Sequence, residues 1–422
     1  MKNIIEDELK YFKSKKYPKY KNPKIKDKKL IKNNKIFIFC LYSFLICFLL
    51  YFFIFGLHFE LKSEMIINKI KEISSNKNNL HNYYDEFGKK LFDEKKIISF
   101  DYLNEYFYGI KRNYSNFDNI HLLFAFNNEY YLLALVTITS ILKTANINSF
   151  IHIHIIASKG FEYETMKKLN SLKGKINKNV EFIFYDGSRI EEDFGSHIKN
   201  EICGAGEYAK LLGPVLVDKK IDRIIALDAG DLLIQKDLLE LYNYPLDDYL
   251  IRGCFDPLAP CYAYWSIFYL KEGYLNAGVY LYNLKKWREM DIYNDILKFY
   301  KYLNFTNKLI APHQDIINCF LPSASIGLLP IKYNLQEYID FQDPNDDQKG
   351  SSLYTLNCSY YYGKKNEIIE GAKNIVIWHY TKSKIHKGEG PPFLTKQWIK
   401  YAEMTGFYKE IKQSYPNAFI IK

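Results

Sequence analysis

Arg223-Ile-Ile-Ala-Leu-Asp-Ala-Gly-Asp231 runs from a basic residue through four apolar ones into two carboxylates. An apolar run this short, rich in β-branched residues and closed by a turn signal, predicts a buried strand over 222–227. Asp228 and Asp231 follow at its carboxyl end, and Gly230 predicts a tight turn aiming both at one point. Hard divalent cations such as Mn²⁺ or Mg²⁺ take carboxylate oxygens. Taken alone, an acidic turn after a core strand is the plainer reading.

On the N-terminal side, Ile120–Ala125, Ile151–Ile156 and Val180–Tyr185 read as strands, the second with period-two alternation (Ile-His-Ile-His-Ile-Ile). Between them, Tyr130–Thr144 and Phe161–Leu172 read as helices, and Glu207–Val217 as a helix despite Pro214. On the C-terminal side, Tyr249–Phe255 reads as a further strand. Strands alternating with helices predict an α/β domain with a mainly parallel sheet, whose ligands sit at the strands' carboxyl ends.

Three more segments carry polar residues where such a sheet would expose them. Asn276-Ala-Gly278 opens an apolar strand, with a helix from about Leu284; small residues there admit a bulky ligand, and Asn276 suits sugar hydroxyls. His313-Gln-Asp315 begins an apolar helix, a pattern helix capping also explains. Asn374-Ile-Val-Ile-Trp-His379 ends a buried strand on an imidazole, and Lys382, Lys384, His386 and Lys387 follow. An imidazole there would complete a metal site with two Asp, and lysines would hold phosphate. A lone structural histidine is the plainer alternative.

Net charge is +10 over 422 residues. Residues 1–35 hold 13 Lys against 4 acids, so 13 − 4 = 9 of it lies in the tail and 10 − 9 leaves the rest near neutral. A nucleic-acid binder concentrates charge on its folded face, so no nucleic-acid partner is expected. Ile36–Leu57 is 22 residues without a charge, enough to span a bilayer and too long for a cleaved signal peptide. The lysines precede it, which predicts a cytosolic N-terminus. The expected organisation is a basic cytosolic tail (1–35), a transmembrane helix (36–57) inserted in the lipid bilayer, a polar stem (58–117) and a lumenal domain (118–422). Sequons at Asn113, Asn304 and Asn357 all follow the apolar run. Beyond that run stand five cysteines, so at least one has no partner within the lumenal part.

In this order, Phe-Ala-Phe-Asn-Asn-Glu-Tyr130, Leu-Asp-Ala-Gly-Asp231, Asn-Ala-Gly278, His-Gln-Asp315, Leu-Pro-Ile-Lys-Tyr-Asn334 and His-Tyr-Thr-Lys382 resemble the motifs of glycosyltransferase family 8, over about residues 119–385. The resemblance implies a GT-A type fold with a mixed, mainly parallel central sheet, a UDP-sugar donor, a Mn²⁺ (or Mg²⁺) ion and retention of anomeric configuration. It implies metal ligands at Asp228 and His379, with Asp231 beside them. Ala125, Asn127 and Tyr130 match uracil-contacting positions. Asn276, Ala277 and Gly278 match the donor-sugar and ribose pocket. Gln314 and Asp315 match positions beside the anomeric carbon, and Asp256 an acid near the donor sugar. Together with the membrane run it implies a single-pass type II enzyme of the Golgi or ER membrane, acting on a glycan or glycoconjugate acceptor. The chain departs from the family pattern at four places. Gly230 stands where the second Asp of DxD belongs, Lys210 stands for Arg, His313 for the first Asp of DQD, and Lys382 for the Gly of HYxG. The phosphate lysine is then Lys382 or Lys384. These departures leave open an inactive relative that binds nucleotide-sugar or glycan.

Overall fold

The sheet is built outward from β2 (Asp118–Phe126), whose last five residues are all buried. In this computed structural model the described residues are 84–90, 97–111, 113–158, 161–194, 208–256, 274–303, 312–336, 339–340, 352–353, 365–381 and 384–420. They belong to the unit Tyr83–Lys422. The tail, the apolar run 36–57, most of the expected stem and Lys382 lie outside them.

The remaining strands are β1 (Ile97–Ser99), β3 (Ser149–Ala157), β4 (Val180–Asp186), β5 (Arg223–Leu227), β6 (Leu232–Ile234), β7 (Ile251–Phe255), β8 (Leu275–Asn283), β9 (Ile326–Leu328), β10 (Leu335–Gln336), the paired β11 (Ile339–Asp340) and β12 (Ser352–Leu353), and β13 (Ile377–His379). Eight form the main sheet in the order β1-β4-β3-β2-β5-β8-β7-β9. The pairs β4/β3, β3/β2, β2/β5 and β7/β9 are parallel. The pairs β1/β4, β5/β8 and β7/β8 are antiparallel. The sheet is therefore mixed, as expected for an α/β domain of this type, with its reversal at β8.

The helices used below are α1 (Phe100–Tyr108), α2 (Tyr131–Thr144), α3 (Tyr163–Asn170), α4 (Leu284–Glu289), α5 (Ile292–Leu303), α6 (Pro312–Phe320), α7 (Pro392–Met404) and α8 (Tyr408–Ser414). Two apolar clusters lie on opposite faces of the sheet. Alternate residues of β2 divide between them: Leu122 and Phe124 join α2 and the C-terminal helices, while Leu123 and Ala125 join α4, α5 and α6. Helix α2 is buried nearly all round, so its polar groups need partners. Thr137 Oγ1 donates to Leu232 O at 3.1 Å, and Ser140 Oγ accepts from Ile234 N at 3.1 Å, fixing β6 to the helix.

Two segments differ from expectation. Residues 97–108, placed in the polar stem, form β1 and α1. Ile98, Phe100 and Leu103 are buried in the core, so the packed domain begins earlier than 118. The helix expected over 207–217 is broken into Lys210–Leu212 and Gly213–Leu216, because Pro214 sits in the first turn of a new segment.

Candidate active site

Strand pairing brings distant residues to one point. Leu227, the last residue of β5, pairs with Val279 of β8. One step on, Asp228 N donates to Gly278 O at 3.0 Å. After the Ala229-Gly230 turn the chain re-enters as β6, and Leu232 pairs with His379 of β13. Tyr380 clamps that turn, its N donating to Asp231 O and its hydroxyl to Gly230 O, each at 3.0 Å. Asp228, Asp231 and His379 therefore meet, although Asp231 and His379 are 148 positions apart in the chain.

One ligand atom from each lies within 4.8 Å of the others. His379 Nε2 is 3.6 Å from Asp228 Oδ2 and 3.6 Å from Asp231 Oδ2. Two lysines neutralise the acids. Lys210, almost fully buried, donates to Asp228 Oδ1 and, at 3.2 Å, to Ala277 O. Lys384 Nζ donates to Asp231 Oδ2 at 2.8 Å. Burial alone would raise the Asp231 carboxyl, but Lys384 and His379 outweigh it and hold the group well below the usual carboxylate range.

The glycines have reasons that the sequence did not disclose. Gly230 has no left-handed φ; it is small because a Cβ would lie 3.2 Å from Leu133 Cβ. Position 230 is thus pressed against α2, and the second carboxylate comes from 231. At Gly278 a Cβ would lie 2.3 Å from His379 Cε1 and 2.5 Å from Nδ1. The space this glycine leaves is filled by the His379 ring rather than by a ligand.

A chain of amides fixes how that ring is held. Gly278 N can only donate, and it donates to Asn276 Oδ1 at 2.9 Å. Asn334 Nδ2 donates to the same oxygen at 2.9 Å. Asn334 Oδ1 then faces His379 Nδ1 at 2.9 Å, so Nδ1 carries the hydrogen and Nε2 turns its lone pair to the acids. In the other direction Asn276 Nδ2 donates to Asp256 Oδ2 at 3.2 Å, and Gln314 Nε2 to the same oxygen at 3.1 Å. Gln314 Oε1 accepts from Ala277 N at 2.8 Å. Asp315 is held by the Tyr274 hydroxyl, and Asn318 fastens α6 to β8 by accepting from Leu275 N at 2.7 Å and donating to Leu275 O at 2.9 Å.

A cavity of about 300 Å³ lies at the carboxyl ends of β2 and β5. Of the residues expected at the site, Ala125, Asn127, Tyr130, Lys210, Asp228, Asp231 and Lys384 line it. Asp256, Asn276, Ala277, Gly278, Gln314, Asp315 and His379 do not; all seven are buried. The site divides into an open part with the lysines and a buried part with the amides. Sequence reasoning gave no role to Asn334, which the motif Leu-Pro-Ile-Lys-Tyr-Asn334 contained. It likewise gave no role to His386, which lines the cavity beside Lys387, one of the lysines expected to hold phosphate.

The donor set fits a hard divalent cation. Two carboxylates and one imidazole with a free Nε2 face one another, and Asp231 Oδ1 is buried without a hydrogen-bond partner.

The sequence profile of Glycosyl transferase family 8 matches residues 121–385. The chain belongs to glycosyltransferase family 8. A putative glycosyltransferase of Haemophilus influenzae is 28% identical over 203 residues, 47% of this chain and 58% of that protein. Among solved structures, the bifunctional glycosyltransferase WbbM is similar with a TM-score of 0.55 and 20% identity, covering 73% of this chain and 53% of that one. The galactosyltransferase LgtC, solved with donor and acceptor sugar analogues, is similar with a TM-score of 0.51 and 19% identity, covering 68% of this chain and 95% of that one. This chain therefore spans less than two thirds of the Haemophilus protein and of WbbM; these structural likenesses carry the fold alone.

Proposed function

We propose that this family 8 chain is a metal-dependent, retaining glycosyltransferase that moves a hexosyl or pentosyl group from a UDP-sugar to a glycan or glycoconjugate acceptor. One observation carries the reading: the ligand atoms of Asp228, Asp231 and His379 converge at a strand end beside a cavity lined by lysines. A divalent cation held by these three residues supplies positive charge for the departing diphosphate.

The remaining work falls to the chain's own groups. Tyr130, 44% exposed at the cavity, offers a face on which a uracil ring stacks, with Asn127 beside it. Lys384 adds charge at the diphosphate end, an electrostatic contribution to leaving-group departure. Asn276, Asp256 and Gln314 form a pre-set hydrogen-bonded group for the sugar hydroxyls. Two routes give retention: attack of the acceptor hydroxyl from the leaving-group face, or brief capture of the sugar by Gln314 or Asp315. The apolar run 36–57 behind thirteen lysines supports a type II orientation in an ER or Golgi membrane.

The test is UDP release by the full chain with Mn²⁺ and a panel of UDP-sugars. Asp228→Asn is expected to abolish metal-dependent release, and unchanged turnover in that variant would remove the metal assignment. A second reading, nucleotide-sugar binding without turnover, draws on the lysines that already neutralise both acids. It predicts calorimetric UDP binding with no release from any donor.

A further inference from the structure

The family match ends at Ile385, and the chain after it packs back onto the domain. Leu394, Trp398 and Ala402 of α7 and Ile411 of α8 join the apolar cluster that holds most of α2. Apolar residues spaced four apart put one face of α7 on that core. Helix α8 ends at Ser414, and Pro416 disfavours helical backbone at the residue before it. Tyr415 accordingly leaves the helix, at φ −131° and ψ 61°. Its N still donates to Ile411 O at 2.9 Å, so the ring projects from a fixed corner.

That ring reaches the loop between β2 and α2. Asn127 and Tyr130 of this loop line the cavity. The loop's own bonds, Glu129 N to Asn127 Oδ1 at 3.1 Å and Tyr130 N to Asn127 O at 3.2 Å, set its shape but not its place. Two side chains from elsewhere fasten it. The Tyr415 hydroxyl donates to Glu129 O at 3.3 Å. Burial first, then Tyr130, Tyr131 and Glu129, push that hydroxyl up to about 12, so it keeps its proton. From α3, the buried Thr165 donates through Oγ1 to Asn128 Oδ1 at 2.6 Å. The two supports are themselves joined, since Lys168 on α3 reaches Glu410 on α8 at 2.6 Å and the Tyr131 hydroxyl at 3.0 Å.

Neither Tyr415 nor Thr165 lines the cavity, so any effect of theirs on a ligand runs through the loop. A loop held in its bound shape beforehand loses less freedom when a ligand arrives.

We propose that Tyr415 and Thr165 are positioning residues, which hold the Asn127–Tyr130 loop so that the Tyr130 ring is in place before the nucleoside binds. This rests on reading the cavity as a UDP-sugar site. The test compares UDP with methyl diphosphate, which keeps the diphosphate and lacks the nucleoside, by calorimetry on the full chain with Mn²⁺. Loss of one neutral hydrogen bond predicts that Tyr415→Phe weakens UDP about threefold to fivefold and leaves methyl diphosphate unchanged. Thr165→Val, which trades the hydroxyl for a methyl group, is expected to give the same split. The two substitutions together are expected to weaken UDP on the order of tenfold, as separate supports add. UDP bound by the double variant as tightly as by the unaltered chain, or equal weakening of both ligands, overturns the inference. No UDP binding by the unaltered chain overturns the donor-site reading itself.

Discussion

Two groups of histidines and carboxylates lie toward opposite ends of the same sheet, and they differ in what their nitrogens and oxygens face. At the carboxyl end, His379 Nε2 faces Asp228 and Asp231 at 3.6 Å each, too far for hydrogen bonds, and Asp231 Oδ1 has no partner. Toward the strand starts, His121, His152 and His154 meet Glu181 and satisfy one another. His121 Nδ1 lies 3.0 Å from His154 Nε2, and His154 Nδ1 lies 2.9 Å from the Tyr185 hydroxyl. His152 bonds Glu181 Oε2 at 3.1 Å and Asn119 Oδ1 at 2.8 Å. Ser99 of β1 closes the group by donating to Glu181 Oε1 at 2.7 Å. A ligand site is distinguished from a structural polar cluster by what is left unpaired, not by residue type.

The sharpest way to break the contrast is to move the His379 imidazole, whose Nε2 stands 3.6 Å from both acids. Gly278→Ala puts a methyl group 2.3 Å from His379 Cε1, and the ring must leave its place. Mn²⁺ affinity, read by the free-ion signal in electron paramagnetic resonance, is expected to fall on the order of 100-fold, the upper range for disturbing a ligand's support. Retained affinity would mean that His379 does not hold the ion. Asn334 gives a finer cut. Asn334→Ala removes the acceptor of His379 Nδ1–H, with an expected loss of about 10-fold in Mn²⁺ affinity. Asn334→Asp keeps an acceptor for the ring but loses the donor to Asn276. It is expected to spare metal affinity and disturb donor-sugar selection; equal metal loss in both variants contradicts the relay.

The contrast also marks what the sequence disclosed. The alternation of β3 and the apolar run of β5 announced their strands, since burial on a sheet writes period two or a solid apolar block into the chain. Asp228 and His379 were legible as strand-end polar residues. Their meeting was expected from the family resemblance and not from periodicity, because it depends on β6 and β13, each three residues long, too short to write a period. Gly278 was legible as a small residue, but the ring that fills its space lies 101 positions away. His152 and His154 were read as the polar half of an alternating strand; their partners come from β2 and β4, so only the sheet register reveals the cluster. His386 followed the last family motif and drew attention only as one of several basic residues.

The smallest effect falls on the self-satisfied group, and it is one of stability. Burial first, then His152, lowers His121 to about 3, and burial drives His154 well below its usual value. Glu181 is also lowered, its burial outweighed by His152 and Ser99. In the unfolded chain a histidine titrates near 6.5. Above that pH neither state gains protons at these rings. Below it the unfolded chain takes them up while the folded rings stay neutral, so stability falls as pH drops from 6.5 toward 3, by up to about 1.4 kcal/mol per unit for each ring. Glu181 acts in the same direction below its unfolded value. Urea unfolding of the unaltered chain at pH 7, 6 and 5 is expected to show midpoints that decline with acid. His121→Gln, which keeps a polar group beside His154 but cannot titrate, is expected to flatten that decline. A pH-independent midpoint in the unaltered chain would mean that the cluster holds its protons equally in both states, and the contrast between the two ends of the sheet would then lie in geometry alone.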